Sequence, residues 1–242
     1  EEIFDKERPD FVSHHAAQID VRKSVSDPMN DLDINGKGLL NVLECSRKFN
    51  VNKIVYASSG GVVYGEPKSL PLEESHQLKP QSPYGVTKLL GELYLDFYGN
   101  TYGLKYTALR YSNVYGPRQD SHGEAGVIDI FAETMLKGEQ PKIFGDGEQI
   151  RDYVFVEDVA NANFLALTRG DFEAINIGTS KKTSVNDLFN IIKKEMNFEG
   201  QPVYAPKRLG ELKENYLNYK KANCLLGWEP KMPIAEGILK TI

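Results

Sequence analysis

Short runs of mostly apolar positions alternate along this chain with longer segments in which apolar residues recur every three or four places. Asp10-Phe-Val-Ser-His14, just after the breaker Pro9, predicts a short strand. Lys53-Ile-Val-Tyr-Ala-Ser-Ser59, Lys105-Tyr-Thr-Ala-Leu-Arg-Tyr111 and Ala174-Ile-Asn-Ile-Gly178 predict three more. Residues 29–49 predict a helix with Met29, Leu32, Gly36, Leu39, Leu40 and Leu43 on one face. Residues 84–98 predict another, whose apolar stripe is Val86, Leu89, Leu90, Leu93, Tyr94 and Phe97. Thr183-Ser-Val-Asn-Asp-Leu188 opens a further helix, with Ser184 suited to be its N-cap. Strands and helices alternating at these lengths imply an α/β fold, a parallel sheet with helices on its faces. Residues 66–83, with four prolines, read as a loop over the strand ends. Residues 116–126 and 144–148, rich in glycine and charge, read as loops bounding a second, smaller region.

The second helix carries candidate chemistry. At about 100° per residue, Tyr84 and Lys88 share the side opposite the apolar stripe, which the pattern assigns to the core. One turn thus sets a phenol beside an ammonium, off the expected core face. A free tyrosine ionises near pH 10, too high for a general base, and a neighbouring cation favours the phenolate. So tuned, Tyr84 exchanges a proton with a substrate hydroxyl. An isolated pair of this spacing is more often an ordinary surface tyrosine and lysine, so the surrounding segments decide.

Composition excludes several classes. The 242 residues are 40% hydrophobic and 26% charged, enough for one or two domains with a sizeable core. A net charge of −5 argues against a reader of nucleic-acid backbones. Cys45 and Cys224 lack metal-ligand spacing, and His14 and His15, adjacent on a strand, point to opposite faces, so no metal site is expected. No apolar run reaches the roughly 18 residues that span a bilayer. The opening residues, Glu1-Glu-Ile-Phe-Asp-Lys6, do not read as a secretory leader, so a reducing cytoplasm is expected.

Five segments occur in a specific order: Val12-Ser-His-His-Ala-Ala-Gln18, Ser58-Ser-Gly-Gly-Val-Val-Tyr-Gly65, Tyr84-Gly-Val-Thr-Lys88, Arg110-Tyr-Ser-Asn-Val-Tyr-Gly-Pro117 and Arg151-Asp-Tyr-Val-Phe-Val-Glu-Asp158. Together they resemble the extended short-chain dehydrogenase/reductases, most closely the UDP-glucose 4-epimerase branch, over essentially the whole chain. The resemblance implies a Rossmann-type doubly wound sheet with a smaller C-terminal α+β substrate domain. Residues 1–111 and 151–178 would form the NAD-binding domain, and 112–150 and 179–242 the substrate domain. No Gly-rich phosphate turn precedes the first strand, so roughly two βα units are expected to be missing ahead of residue 1. The strand at 10–14 would then be an open edge.

The resemblance also implies roles. Tyr84 would take the sugar 4-hydroxyl proton while C4 passes hydride to NAD, and Lys88 would hold the nicotinamide ribose and favour the phenolate. Where better-known relatives carry a hydroxyl this chain has Gly60, so Ser59 is the nearest substitute. Alternatively the backbone amides of Gly60 and Gly61 donate to the sugar. Related 4,6-dehydratases place Thr-Asp-Glu here, where this chain has Gly60-Gly61-Val62. His15, Ala16, Ala17, Asn35, Ser58 and Ser112 match cofactor contacts, alongside Tyr84 and Lys88. Asn113, Arg151 and Arg208 match groups on the substrate diphosphate, Glu211 a contact to the uridine ribose, and Asn215 a residue gating the sugar pocket. Ser59 and Tyr84 would also touch the sugar. The expected partners are a UDP-sugar and a second copy of the chain, paired through helices 29–49 and 84–98. UDP-glucuronate and UDP-N-acetylglucosamine epimerases, and a non-catalytic nucleotide-sugar binder, remain alternatives.

Overall fold

The computed structural model describes residues 1–119, 126–207 and 212–242. Helix α1 (Glu2–Glu7) ends at Arg8, in the left-handed conformation, and leads into β1 (Phe11–His14). Asp20 caps α2 (Val21–Ser26) by accepting from the amides of Arg22 and Lys23. Asp27 caps α3 (Pro28–Asp31), which runs through a π-helical stretch (Leu32–Lys37) into α4 (Gly38–Lys48). These three pieces are the single helix expected over 29–49. The π stretch, closing on the fifth residue back, rotates the chain against the assumed period. Asp31, Asn35, Gly36, Leu39 and Leu43 are therefore buried, while Met29 is 66% exposed. The expected apolar face holds only in its second half.

Strand β2 (Lys53–Ser59) is followed, after the proline-rich loop, by α5 (Pro83–Tyr102). Pro83 sits at its first turn, the Ser82 hydroxyl accepts from the Gly85 amide at 3.1 Å, and Gly103 ends it at φ 71°. The burial of α5 reverses the expectation. Its buried residues include Thr87, Lys88, Gly91, Glu92, Leu95 and Tyr98, whereas Val86, Leu93 and Phe97 are 52%, 60% and 50% exposed. Lys88 does lie opposite the apolar stripe, but that side faces the sheet. Gly91 allows the close approach: a Cβ there would lie 2.4 Å from the Tyr56 hydroxyl.

Next come β3 (Lys105–Tyr111), β4 (Asn113–Tyr115), α6 (Val127–Leu136), β5 (Lys142–Phe144), β6 (Ile150–Arg151) and β7 (Tyr153–Phe155). Part of the 116–126 loop falls outside the described residues. The chain continues through α7 (Val156–Ala166), β8 (Glu173–Ile177), β9 (Thr183–Ser184), α8 (Val185–Glu195), β10 (Val203–Ala205), α9 (Lys220–Leu226) and α10 (Ile234–Thr241). At the start of α8, Ser184 and Asp187 form a reciprocal capping box.

The main sheet has the order β1-β2-β3-β8, every pair parallel, with Ser59 opposite Tyr111 and Tyr111 opposite Ile177. Strand β1 is an edge of this sheet. Both faces are covered, as parallel sheets require. Ile54, Tyr56 and Ala108 pack with Leu39, Leu43 and Leu95 on one side. Val55, Leu109 and Ile175 pack with Ala162, Leu226 and Trp228 on the other. The segment 220–228, expected with the smaller region, thus packs on the sheet through Leu226 and Trp228. A separate core of Tyr115, Phe131, Phe155, Leu188 and Ile238 joins α6, α8 and α10. No described helix is long and apolar enough to cross a membrane.

Candidate active site

Several of the described residues expected in the site lie at or near the carboxyl ends of β1, β2 and β3, where open α/β sheets bind ligands. Lys88 is 4% exposed. Its Nζ donates to the Ala57 carbonyl at 2.8 Å and lies 5.7 Å from the centre of the Tyr84 ring and 5.1 Å from that of Tyr56. Burial pushes the Lys88 ammonium down to about 8, and the negative charge of Asp31 opposes that fall. Tyr56 is held in its neutral form, first by burial and then by the charge of Glu92. Tyr84 is half-buried at the first turn of α5.

Ser59 lies two residues beyond Ala57 on β2 and is half-buried. The glycine after it has a steric cause. A Cβ at Gly60 would come within 2.5 Å of the Leu217 side chain and 3.3 Å of the Arg110 carbonyl. A side chain at position 60 would require Leu217 to shift, whereas one at position 61 would meet the Ser59 Oγ at an ordinary 3.7 Å. Asn215 is buried and donates its Nδ2 to the carbonyls of Gly60 and Gly61, each at 3.4 Å. Its amide bonds to Ile150 O at 3.0 Å, which sets Arg151 of β6 beside it. Arg151 is half-buried and donates Nη1 to Ile150 O at 2.8 Å. Asn113 is exposed, its amide on Asp152 O at 3.0 Å. Asp152 itself is fully buried and accepts from Thr179, Ser180 and Leu217, so it fixes the segment that covers Gly60. Burial pushes its carboxyl up, against those bonds. Arg208 and Glu211 lie outside the described residues.

On the cofactor side, Asn35 joins the loop after β1 to the helices. It accepts from the Gln18 amide at 2.8 Å and donates to Gln18 O and Asp31 Oδ1 at 3.0 and 3.1 Å. His15 stands exposed beyond β1, stacked on Tyr111 and within 3.2 Å of Asn163 Oδ1. Ala16 and Ala17 follow it, exposed and half-buried. Ser112 is buried, with its Oγ lacking a hydrogen-bond partner, as is the Nε2 of His14. Two orphaned polar atoms beside a strand-end loop of small residues fit a polar cofactor laid across the sheet. Ser58, expected on the cofactor, faces α5, where its Oγ donates to Glu92 Oε1 at 2.5 Å.

Sequence reasoning missed the assembly on that face. Arg110 grips Glu92 through Nε and Nη2 at 2.6–3.2 Å and donates Nη1 to Tyr64 at 2.8 Å. Tyr64, its phenol pushed up to about 12 chiefly by burial, donates to Asn176 at 2.7 Å. The signal was available: a glutamate and an arginine each embedded in an otherwise apolar segment. His14 was missed too. Its imidazole stands edge-on to Tyr56 at 5.8 Å and is pushed down to about 4, first by burial and then by Lys88.

A parallel sheet with a tyrosine and a buried lysine one turn apart, against the end of its second strand, is the arrangement expected of a short-chain dehydrogenase/reductase. The chain belongs to the NAD dependent epimerase/dehydratase family, which it matches over residues 1–178, and is an NAD-using enzyme of that family. A UDP-glucose 4-epimerase from Mycolicibacterium smegmatis is 44% identical over 236 residues, 97% of this chain and 75% of that protein. The crystal structure of UDP-glucose 4-epimerase from Thermotoga maritima with UDP-glucose superposes with a TM-score of 0.98 at 50% identity, covering 99% of this chain and 78% of that one. A UDP-N-acetylglucosamine 4-epimerase from Methanobrevibacter ruminantium, in complex with UDP-N-acetylmuramic acid, gives 0.94 at 35% identity, covering 98% and 77%.

Proposed function

We propose that this chain epimerises C4 of a UDP-hexose, interconverting UDP-glucose and UDP-galactose through a 4-keto sugar. The observation that carries this reading is the Tyr84–Lys88 pair, with Lys88 bonded to Ala57 O two residues before Ser59 and glycine at both 60 and 61. Tyr84, as the phenolate that Lys88 favours, removes the 4-hydroxyl proton and becomes the neutral phenol, and it returns that proton when the keto sugar is reduced. NAD bound there would supply the acceptor and donor of the C4 hydride. Ser59 donates its hydroxyl to O4 as charge develops there. Elimination of water needs an acid beside the keto sugar, and Gly60-Gly61-Val62 supplies none. His15, Ala16, Ala17, Asn35 and Ser112 hold the cofactor. Asn113, Arg151 and Arg208 take the diphosphate, where guanidinium forks suit phosphate oxygens, and Glu211 takes the ribose. On this division the sheet, 1–111 with 151–178, is the NAD-binding domain and the rest binds substrate.

Proton NMR of the anomeric region, with UDP-galactose supplied, tests the reading. Conversion to UDP-glucose that disappears in Tyr84→Phe, with UDP-sugar binding kept, is the expected result. Binding without conversion in the native chain would make it a nucleotide-sugar binder. One feature supports a second substrate: Asn215, bonded to the Gly60 and Gly61 carbonyls, is smaller than a tyrosine, and a smaller residue at the gate to the sugar pocket admits an acetamido group. Turnover of UDP-N-acetylglucosamine measures that. The exposed Val86, Leu93 and Phe97 of α5, alongside Met29 and Leu32 of the neighbouring helix, support a homodimer through these two helices. A reducing cytoplasm, in which Cys45 and Cys224 stay thiols, suits this activity.

A further inference from the structure

Among the described residues, the steps above leave one fully buried carboxylate without a role. Asp31, at the end of α3, has no exposed surface. Its Oδ2 accepts from Thr87 Oγ1 at 2.7 Å, and its Oδ1 accepts from Gln18 Nε2 at 2.9 Å and Asn35 Nδ2 at 3.1 Å. All three donors are neutral, so the charge is solvated but not cancelled. Thr87 immediately precedes Lys88, whose own bond, to Ala57 O, is also to a neutral group. Around the Lys88 ammonium stand His14 from β1, Tyr56 from β2, Tyr84 from its own helix and Asp31 from α3. Glu92, one turn further along α5, is already matched by Arg110. Within this set Asp31 is the anion that no cation has claimed.

We propose that Asp31 is a positioning residue for the Tyr84 chemistry: its buried carboxylate keeps Lys88 an ammonium, while Thr87, Asn35 and Gln18 hold it in place. This rests on the reading of Tyr84 and Lys88 as the reacting pair. It gives the Asn35 network a second task, since the bonds that shape the loop after β1 also aim the charge. Burial alone favours neutral Lys88, and an opposite charge nearby is worth about one to three pK units.

The test is a titration of [13C]lysine-labelled protein, with the Lys88 resonance assigned by its loss in Lys88→Arg. Asp31→Asn is expected to lower the Lys88 midpoint by about one unit or more. The alkaline limb of kcat should move with it, in a way simple loss of folded protein would not reproduce. Thr87→Val, which removes a hydrogen bond and keeps the charge, is expected to move the midpoint far less. In the native protein the Asp31 γ-carbon should report a step at the Lys88 midpoint, because coupling between two sites is reciprocal. An unchanged midpoint in folded Asp31→Asn overturns the proposal. Should that variant not fold, absence of the reciprocal step in the native protein overturns it instead. The NMR readout needs no turnover, so a coupled pair in a chain inactive on every UDP-sugar would retire the epimerase reading alone.

Discussion

The two faces of α5 divide the labour in a way their composition disguises. The outward face carries Val86, Leu93 and Phe97, large apolar side chains half or more exposed. The inward face carries Thr87, Lys88, Gly91 and Glu92 against the sheet. Polarity on the inward face is fully matched: Lys88 by a carbonyl, Thr87 by Asp31, and Glu92 by Arg110 and Ser58. The outward face is the surface we propose a second copy covers. A hydrophobic stripe therefore marks a surface that must be covered, without saying whether the cover is the chain's own sheet or another copy of it. Burial of charge, in turn, marks the face where the chemistry is prepared, because a low-dielectric site strengthens every interaction made there.

Substitutions that treat the two faces differently should separate these roles. The largest effect on stability is expected on the inward face. Glu92→Gln strands the Arg110 guanidinium in the core, and loss of one partner of a buried pair costs about 3–5 kcal/mol; urea unfolding measures it. At the helix start, Tyr84→Phe should lower kcat by about 10²- to 10⁴-fold and leave the urea midpoint within error. A stability loss comparable to that of Glu92→Gln would instead make Tyr84 a packing residue.

The inward face also predicts a pH dependence. His14, edge-on to Tyr56 and near Lys88, has its folded-state pKa pushed from 6.5 to about 4. The unfolded chain therefore binds the proton more readily, and stability from this group is complete above pH 6.5 and is lost as pH falls through 4. The loss should reach about 3 kcal/mol. His14→Gln should flatten the stability profile between those values. The smallest change in monomer stability is expected outside: Leu93→Asp should shift it by no more than about 0.5 kcal/mol. Yet it should convert a dimer to monomer by light scattering at micromolar concentration. A Leu93→Asp protein that loses its fold would show that the outer stripe belongs to the monomer's core after all.

Local signals were legible and long-range ones were not. Strands Lys53–Ser59 and Lys105–Tyr111 have the bounds their β-branched and aromatic runs indicate. The cap at Ser184 and the turn spacing of Tyr84 to Lys88 were equally readable, since each depends on residues a few places apart. The helix at 29–49 was recognised, but its π stretch was not, because the extra residue per turn leaves no mark in a hydrophobic period. Ser58 and Ser59 look interchangeable as neighbours. Strand alternation sends one to Glu92 and leaves the other at the sheet's open end.

By itself the sequence determined the alternation of strands and helices, the one-turn spacing of phenol and ammonium, and the lack of an acid after Ser59. These are matters of short-range geometry and residue type. Tertiary structure decided which face of α5 is inside, that Leu217 packs against position 60 where a side chain would have to displace it, and that Asp31 comes to lie beside Thr87 and within reach of Lys88. Those outcomes depend on which distant segments desolvate one another. A charge buried among matched donors obeys the packed interior rather than the period of its own helix.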